Sequence, residues 1–454
     1  MCGLYAGWID SVAYQMRCNV SEFADTIYAL SSGGLPAGVA VIRVSGNGAF
    51  AVASQIAGQL PAPRTASLRT IRTRNGLVID KGIVLLFPGP NSFTGEDCAE
   101  FQVHGGLAVA AAILDELSAI SGCRLAENGE FSRRAFENGR MDLLEAEGLA
   151  DLLAAETEMQ RRLAIEQSSG GLSELYAAWA NRITRARALI EAELDFSDEG
   201  DVPGSVSDQV WADMLLIRDA ISDHLAGAKF GEIVRDGFRV AIAGPPNSGK
   251  STLLNTLAGR DVAIVTEIAG TTRDVLEVNL DIDGFRVRLF DTAGFRETED
   301  VVEAEGVKRA LQTVEAADLV LMLREIGSPE TEIVVHSDAI QVGTKADIHG
   351  PGEQFDICIS VQNGTGLAEL RERISTELSK RSTGLSMAVP ARRRHRVLLE
   401  QAISDITCAL NSSEGLDIRA EHLRAAARSL GRITGHVDVE DLLGVIFSEF
   451  CVGK

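Results

Sequence analysis

Residues 244–251 read G-P-P-N-S-G-K-S, a glycine-flanked loop that ends on a lysine and a hydroxyl side chain. Those residue types at that spacing suit one task. The glycines let the backbone curl until its N–H groups and a helix N-terminus face phosphate oxygens. Lys250 then reaches the β- and γ-phosphates, and the Ser251 hydroxyl is placed to ligate magnesium. Asn247, Ser248, Gly249 and Thr252 belong to the same cradle. The context agrees, because the apolar run 240–243 predicts a buried strand and residues 251–258 a helix that stops at Gly259. The loop implies a nucleoside triphosphate.

Further segments narrow this to guanine nucleotides. Asp291, Thr292, Ala293 and Gly294 follow an alternating, half-buried strand (285–290) that forms a hairpin with 275–282 through an Asp283-Gly284 turn. An aspartate there holds the magnesium shell through water, and Gly294 offers its N–H to the γ-phosphate. Residues 344–347, T-K-A-D, follow the apolar run 339–342. The Asp347 carboxylate accepts from guanine N1–H and the 2-amino group, which adenine lacks, while Thr344 and Lys345 flank it. Ser360, after 355–359, lies where a loop backing the base belongs.

Residues 266–274 (Thr266, Glu267, Ile268, Ala269, Gly270, Thr271, Thr272 and two more) supply a switch segment, with Thr272 as the second protein ligand to magnesium. After Gly294 stands Phe295, which cannot orient an attacking water. Either the domain hydrolyses poorly, or positioning and charge neutralisation come from elsewhere. Asn247 is either a ligand to a monovalent cation, its shell completed by Thr266, Ile268 and Thr271, or an amide that braces the loop.

The 454 residues leave room for about three domains. A hydrophobic content of 45% supports large cores, and no apolar run is long enough for a bilayer. Seven cysteines without paired spacing suit a reducing cytoplasm and no zinc site. The net charge of −22 argues against nonspecific phosphate-backbone binding, so nucleic acid must meet a local basic patch or a partner's surface. One such patch is residues 392–396, R-R-R-H-R, which also reads as the solvated first turn of a helix. Residues 1–20 lack the pattern of a secretory signal, and Met16 is a second candidate start.

From 25 to about 123, short apolar runs (39–44, 82–87, 100–103) alternate with Gly/Pro turns, which predicts a mixed domain with an antiparallel sheet. Residues 131–229 and 397–450 carry helical periodicity, with Leu189, Ile190 and Leu194 expected on one face. A helical region split by a P-loop domain suggests an insertion.

The chain resembles the tRNA-modification GTPase family MnmE (TrmE) from about residue 25 to 454. The resemblance rests on 91–97 (N-S-F-T-G-E-D), 104–106 (H-G-G), 129–136 (G-E-F-S-R-R-A-F) and the terminal F-C-V-G-K of 450–454. It implies an α/β multidomain protein: an extension (1–24), an α+β folate-binding and dimerising domain (25–140), a helical bundle (141–235 and 385–454) and an inserted Ras-like G domain (236–384). The family relationship implies a homodimer that works with the FAD-dependent partner MnmG (GidA), FAD entering only through that partner. Together they add an aminomethyl-type group, such as carboxymethylaminomethyl, to C5 of the wobble uridine of certain tRNAs. The carbon comes from 5-formyltetrahydrofolate or another tetrahydrofolate derivative. By motif match Arg43, Glu100, Arg140 and Lys454 correspond to folate-site positions, and Glu303 to the acid that orients the attacking water. Hydrolysis in the family uses potassium as well as magnesium, with Lys250 and Thr272 beside Glu303 as the catalytic groups. The family usually has Asn at the position of Thr344.

Two other readings compete. An Era- or Der-like ribosome-assembly GTPase would need a basic KH-type domain after the G domain, which the acidic helical C-terminal half does not supply. A folate-dependent one-carbon transferase with a vestigial G domain conflicts with the near-intact nucleotide motifs.

Overall fold

The computed structural model describes residues 25–195, 206–259, 277–291, 312–329, 339–382, 386–411, 413, 415–437, 440–448, 450 and 452–453. Contacts divide the chain into two units, Met1–Ala150 with Thr434–Lys454, and Asp151–Ile433.

The first unit is built on a six-stranded sheet of β1 (Thr26–Leu30), β2 (Ala37–Ser45), β3 (Ser67–Arg72), β4 (Val78–Phe87), β5 (Cys98–Gly105) and β6 (Cys123–Leu125). Its order is β3-β4-β5-β2-β1-β6, antiparallel except where β1 meets β6. The period-2 alternation decides which side chains go inward. Ala40, Ile42 and Val44, with Val84 and Leu86, and Ala99, Phe101 and Val103, pack with residues of helices Ala49–Ala57 and Leu107–Ser118. The intervening residues, Arg43 and Glu100 among them, fall on the opposite face. There Ile27 and Ala29 form a smaller cluster with Ala126 and Phe131.

The signature segments 91–97 and 129–136 turn out to hold a buried ion network. Arg134, with no exposed surface, donates to Asp25 (2.8 Å), to Glu130 (2.9 Å) and to Glu96 (3.2 Å). Arg124 pairs with the same Asp25 and Glu130. A buried guanidinium is tolerated only when so surrounded. Burial alone would raise the Glu130 pKa, but hydrogen bonds from Arg124, the Glu127 amide and Arg134 pull it below the ordinary carboxylate range. Helix Glu440–Ser448 belongs to this unit too, its Ile446 and Phe447 packing with Phe450, Leu143 and Ala146. Gly129 (φ +65°) must be glycine here, because a Cβ would lie 2.3 Å from the Phe447 carbonyl oxygen.

The second unit contains a sheet of β7 (Phe238–Ala243), β8 (Glu277–Ile282), β9 (Phe285–Asp291), β10 (Leu319–Glu325), β11 (Ile340–Thr344) and β12 (Ile357–Cys358). The order is β12-β11-β10-β7-β9-β8, parallel but for the β8–β9 hairpin. Both faces of β7 are buried, as a central parallel strand requires. Phe238, Val240 and Ile242 join one core, and Ala241 and Ala243 pack with Val320 and Met322. The chain leaves β7 toward β8 and β9 on one side and later returns to β10 on the other. The C-terminal end of β7 is therefore a switch point of the kind where α/β sheets bind ligands.

Around this sheet the unit is helical. Along helix Gly171–Asp195, Leu172, Tyr176, Trp179, Ile183, Ala186 and Ile190 are buried at alternating steps of four and three. The expected shared face of Leu189, Ile190 and Leu194 is corrected: Ile190 faces the core and Leu189 is exposed, since neighbours in a helix point about 100° apart. Of the basic patch at 392–396, Arg393 is exposed while three other arginines are engaged within the unit. Arg392 pairs with Asp151 (2.8 Å), Arg394 donates to the last carbonyls of helix Leu416–Thr434, and Arg396 pairs with Glu232 (3.0 Å), so these cations brace helices.

Among the described residues no helix is long and apolar enough to cross a membrane.

Candidate nucleotide site

The loop after β7 is shaped by three backbone positions that ordinary side chains disfavour. Gly244 has φ +146°, and a Cβ there would sit 2.1 Å from the Leu323 carbonyl oxygen on β10. Asn247 (φ +63°) and Gly249 (φ +93°) are left-handed, the latter as N-cap of helix Lys250–Ala258. Asparagine is among the few non-glycine residues that accept this conformation readily. The helix thus begins at the loop's inner edge, its free N–H groups directed at the concavity.

Lys250 turns back over the loop and donates to the carbonyls of Gly244 (2.7 Å) and Pro245 (2.8 Å). Burial lowers its pKa, opposed by the negative charge of Asp291. The Ser251 hydroxyl donates to Asp291 at the end of β9 (2.8 Å), and that carboxylate is fully buried. Ser248, 2% exposed, has a hydroxyl oxygen with no partner among the described residues. A hydroxyl and a carboxylate side by side are hard oxygen donors of the type magnesium takes. The residues present fit that ion.

Three segments are tied together around the turn at 344–347. The Thr344 hydroxyl donates to the Ser248 carbonyl (2.9 Å), so threonine joins this turn to the phosphate loop. Lys345 (φ +59°) starts the short helix Ala346–His349 and reaches Glu325 (2.6 Å), which His349 also approaches (3.2 Å). Hydrogen bonds from Lys345 and then His349 hold the Glu325 carboxyl below its ordinary range. The Ala346 amide donates to the Ile359 carbonyl, placing buried Ser360 beside the turn that carries exposed Asp347. Glu325 was not singled out from sequence, since a glutamate at a strand end carries no motif.

In the first unit Arg43 and Glu100 are opposed on β2 and β5 and form an ion pair of 3.0 Å. The Arg43 guanidinium lies 5.1 Å from the Phe93 ring centroid and 5.7 Å from that of Phe131. Exposed Arg140 lies at the other side of the same 91–97 loop, its Cγ 3.2 Å from where a Gly95 Cβ would stand. Residues 452 and 453 reach this unit through an Asn128–Val452 bridge and a hydrogen bond from Ser31 to the Gly453 carbonyl (2.8 Å). Thr266, Glu267, Ile268, Ala269, Gly270, Thr271, Thr272, Thr292, Ala293, Gly294, Phe295, Glu303 and Lys454 lie outside the described residues.

The sheet order, and the loop that leads from its central strand into a helix, make this part of the second unit a P-loop G domain. Family models extend the assignment. The MnmE helical domain matches residues 143–451, and the N-terminal domain described as GTP-binding protein TrmE N-terminus matches 26–140. The chain is 60% identical over 441 residues to the tRNA modification GTPase MnmE of Agrobacterium fabrum, covering 95% of this chain and all of that protein. It is 59% identical over 439 residues to the protein of the same name from Rhizobium johnstonii, covering 96% of this chain and all of that one. The chain belongs to the MnmE family.

Proposed function

We propose that this chain hydrolyses GTP as the nucleotide-driven component of an enzyme complex that modifies C5 of the wobble uridine in certain tRNAs. The observation that carries the reading is the Ser251–Asp291 hydrogen bond beneath a glycine loop spanned by Lys250. Its relatives' shared name, tRNA modification GTPase, supplies the substrate class. Lys250 exchanges its two loop carbonyls for phosphate oxygens, and the N–H groups of the loop and helix grip the rest. Ser251 and Thr272 would ligate magnesium, with Asp291 holding its shell through water, and the ion would supply charge neutralisation on the transferring phosphoryl group. Asp347 selects guanine, with Thr344, Lys345 and Ser360 fixing its turn. We assign Asn247, Thr266, Ile268 and Thr271 to potassium, and Glu303 and Thr272 to the hydrolytic step.

The same proposal covers the other regions. Residues 25–140 form the folate-binding and dimerising domain, 236–384 the G domain, and 141–235 with 385–454 the helical domain. Arg43, Glu100, Arg140 and Lys454 bind the tetrahydrofolate donor. The working form is a cytoplasmic homodimer in complex with an FAD-carrying partner of the MnmG type. Support for the folate site is chemical, since a guanidinium and a carboxylate on one sheet face suit a ligand with an anionic tail and a donor edge.

Mass spectrometry of tRNA nucleosides from cells lacking this gene tests the whole reading. Loss of the modified wobble uridine is expected, and an unchanged nucleoside profile would refute it.

A further inference from the structure

The β8–β9 hairpin touches two places that the proposed function leaves unconnected. At one end of β9, Asp291 sits under the phosphate loop. About 20 Å away along the strand, the Asp283-Gly284 turn docks on helix Glu158–Ser168. Both turn residues have positive φ (+54° and +82°), which lets a two-residue loop close the hairpin tightly. The Gly284 carbonyl accepts from the Met159 amide (3.0 Å), one of the N–H groups that a helix start leaves without an intrahelical partner. Arg286 pairs with Glu156 (3.3 Å), just ahead of that helix. Phe285 meets Phe230 edge to face, with centroids 6.4 Å apart. Val287 and Leu289, between the two ends, are fully buried, so the strand has little room to bend. Beside the dock lies a cavity of about 250 Å³ lined by Gln160, Leu163, Arg235, Arg286 and Arg288 among others.

We propose that β9 couples the nucleotide site to the helical part of its unit, with Glu156 and Arg286 as positioning residues that keep strand and helix in step. Ligands at Asp291 and the hydrogen bond at Met159 then bias one another, as linkage requires. The inference rests on the reading of the phosphate loop given above.

Hydrogen exchange on the full-length chain tests it, read on a peptide across 157–162 with and without GDP and magnesium. Exchange there is expected to change by about threefold or more on nucleotide binding. Arg286→Gln should abolish that response while GDP still binds, and the charge-swapped pair Glu156→Arg with Arg286→Glu should restore it. If GDP binds and exchange at 157–162 does not respond, the coupling is refuted and the nucleotide site stands. If GDP does not bind at all, the site and the coupling fall together.

Discussion

Thr344→Val isolates one hydrogen bond with almost no change in shape. Valine replaces the hydroxyl by a methyl group and removes the donor to the Ser248 carbonyl. Thr344 is 4% exposed and Ser248 2%, so water has little access to take over. Leaving a buried acceptor unpaired costs about 1–3 kcal/mol. That carbonyl belongs to the loop proposed to grip the phosphates, so much of the cost should appear on binding. A loss of about 1.4 kcal/mol corresponds to roughly tenfold in Kd. Calorimetric titration with GDP should show that loss in Thr344→Val, and a similar factor with a non-hydrolysable GTP analogue, because the contact lies beneath the loop and away from the terminal phosphate. Thr344→Ser keeps the hydroxyl and should stay within about twofold of the native chain. A denaturation curve on each variant separates affinity from stability. Native-like GDP binding by Thr344→Val would show that the contact does not support the loop.

Two further outcomes follow from backbone and titration. Gly244→Ala should destabilise the G domain by about 2–4 kcal/mol, since the new Cβ meets the Leu323 carbonyl of β10; chemical denaturation of the full chain reads this, and an unchanged midpoint would contradict the packing. His224 accepts or donates a hydrogen bond with Tyr176 (2.9 Å) between the rings of Tyr176 and Trp179. Burial, with the charge of His395 adding, lowers its pKa to about 4. The folded state therefore binds fewer protons than the unfolded one between that value and about 6.5. Stability is fully present above about pH 6.5 and is lost as pH falls toward 4, on the order of 3 kcal/mol. Unfolding curves at pH 7 and 5 should show the decline in the native chain and little of it in His224→Phe.

Much of the G domain was legible because its chemistry is local. The strand-to-helix loop at 244–249, its helix stopping at Gly259 and the Asp283-Gly284 hairpin are each set by a few adjacent residues, and their geometry is found as read. Strands at 39–44, 82–87 and 100–103 were visible through their alternation. What sequence could not supply was who meets whom at long range. Nothing in R-R-R-H-R tells that Arg392 faces Asp151, 241 residues away. The 129–136 segment announced a family without revealing that Arg134 lies buried among Asp25, Glu96 and Glu130. Thr344 looked like a departure until its bond to Ser248 gave it a role.

The first unit is closed by residues made very late. Ser31 bonds to the carbonyl of a glycine 422 positions later, and Gly129 accommodates the backbone of Phe447. During synthesis the ribosome therefore emits the opening sheet long before the piece that completes it. The nascent first unit lacks this closing segment until the whole second unit has been threaded out.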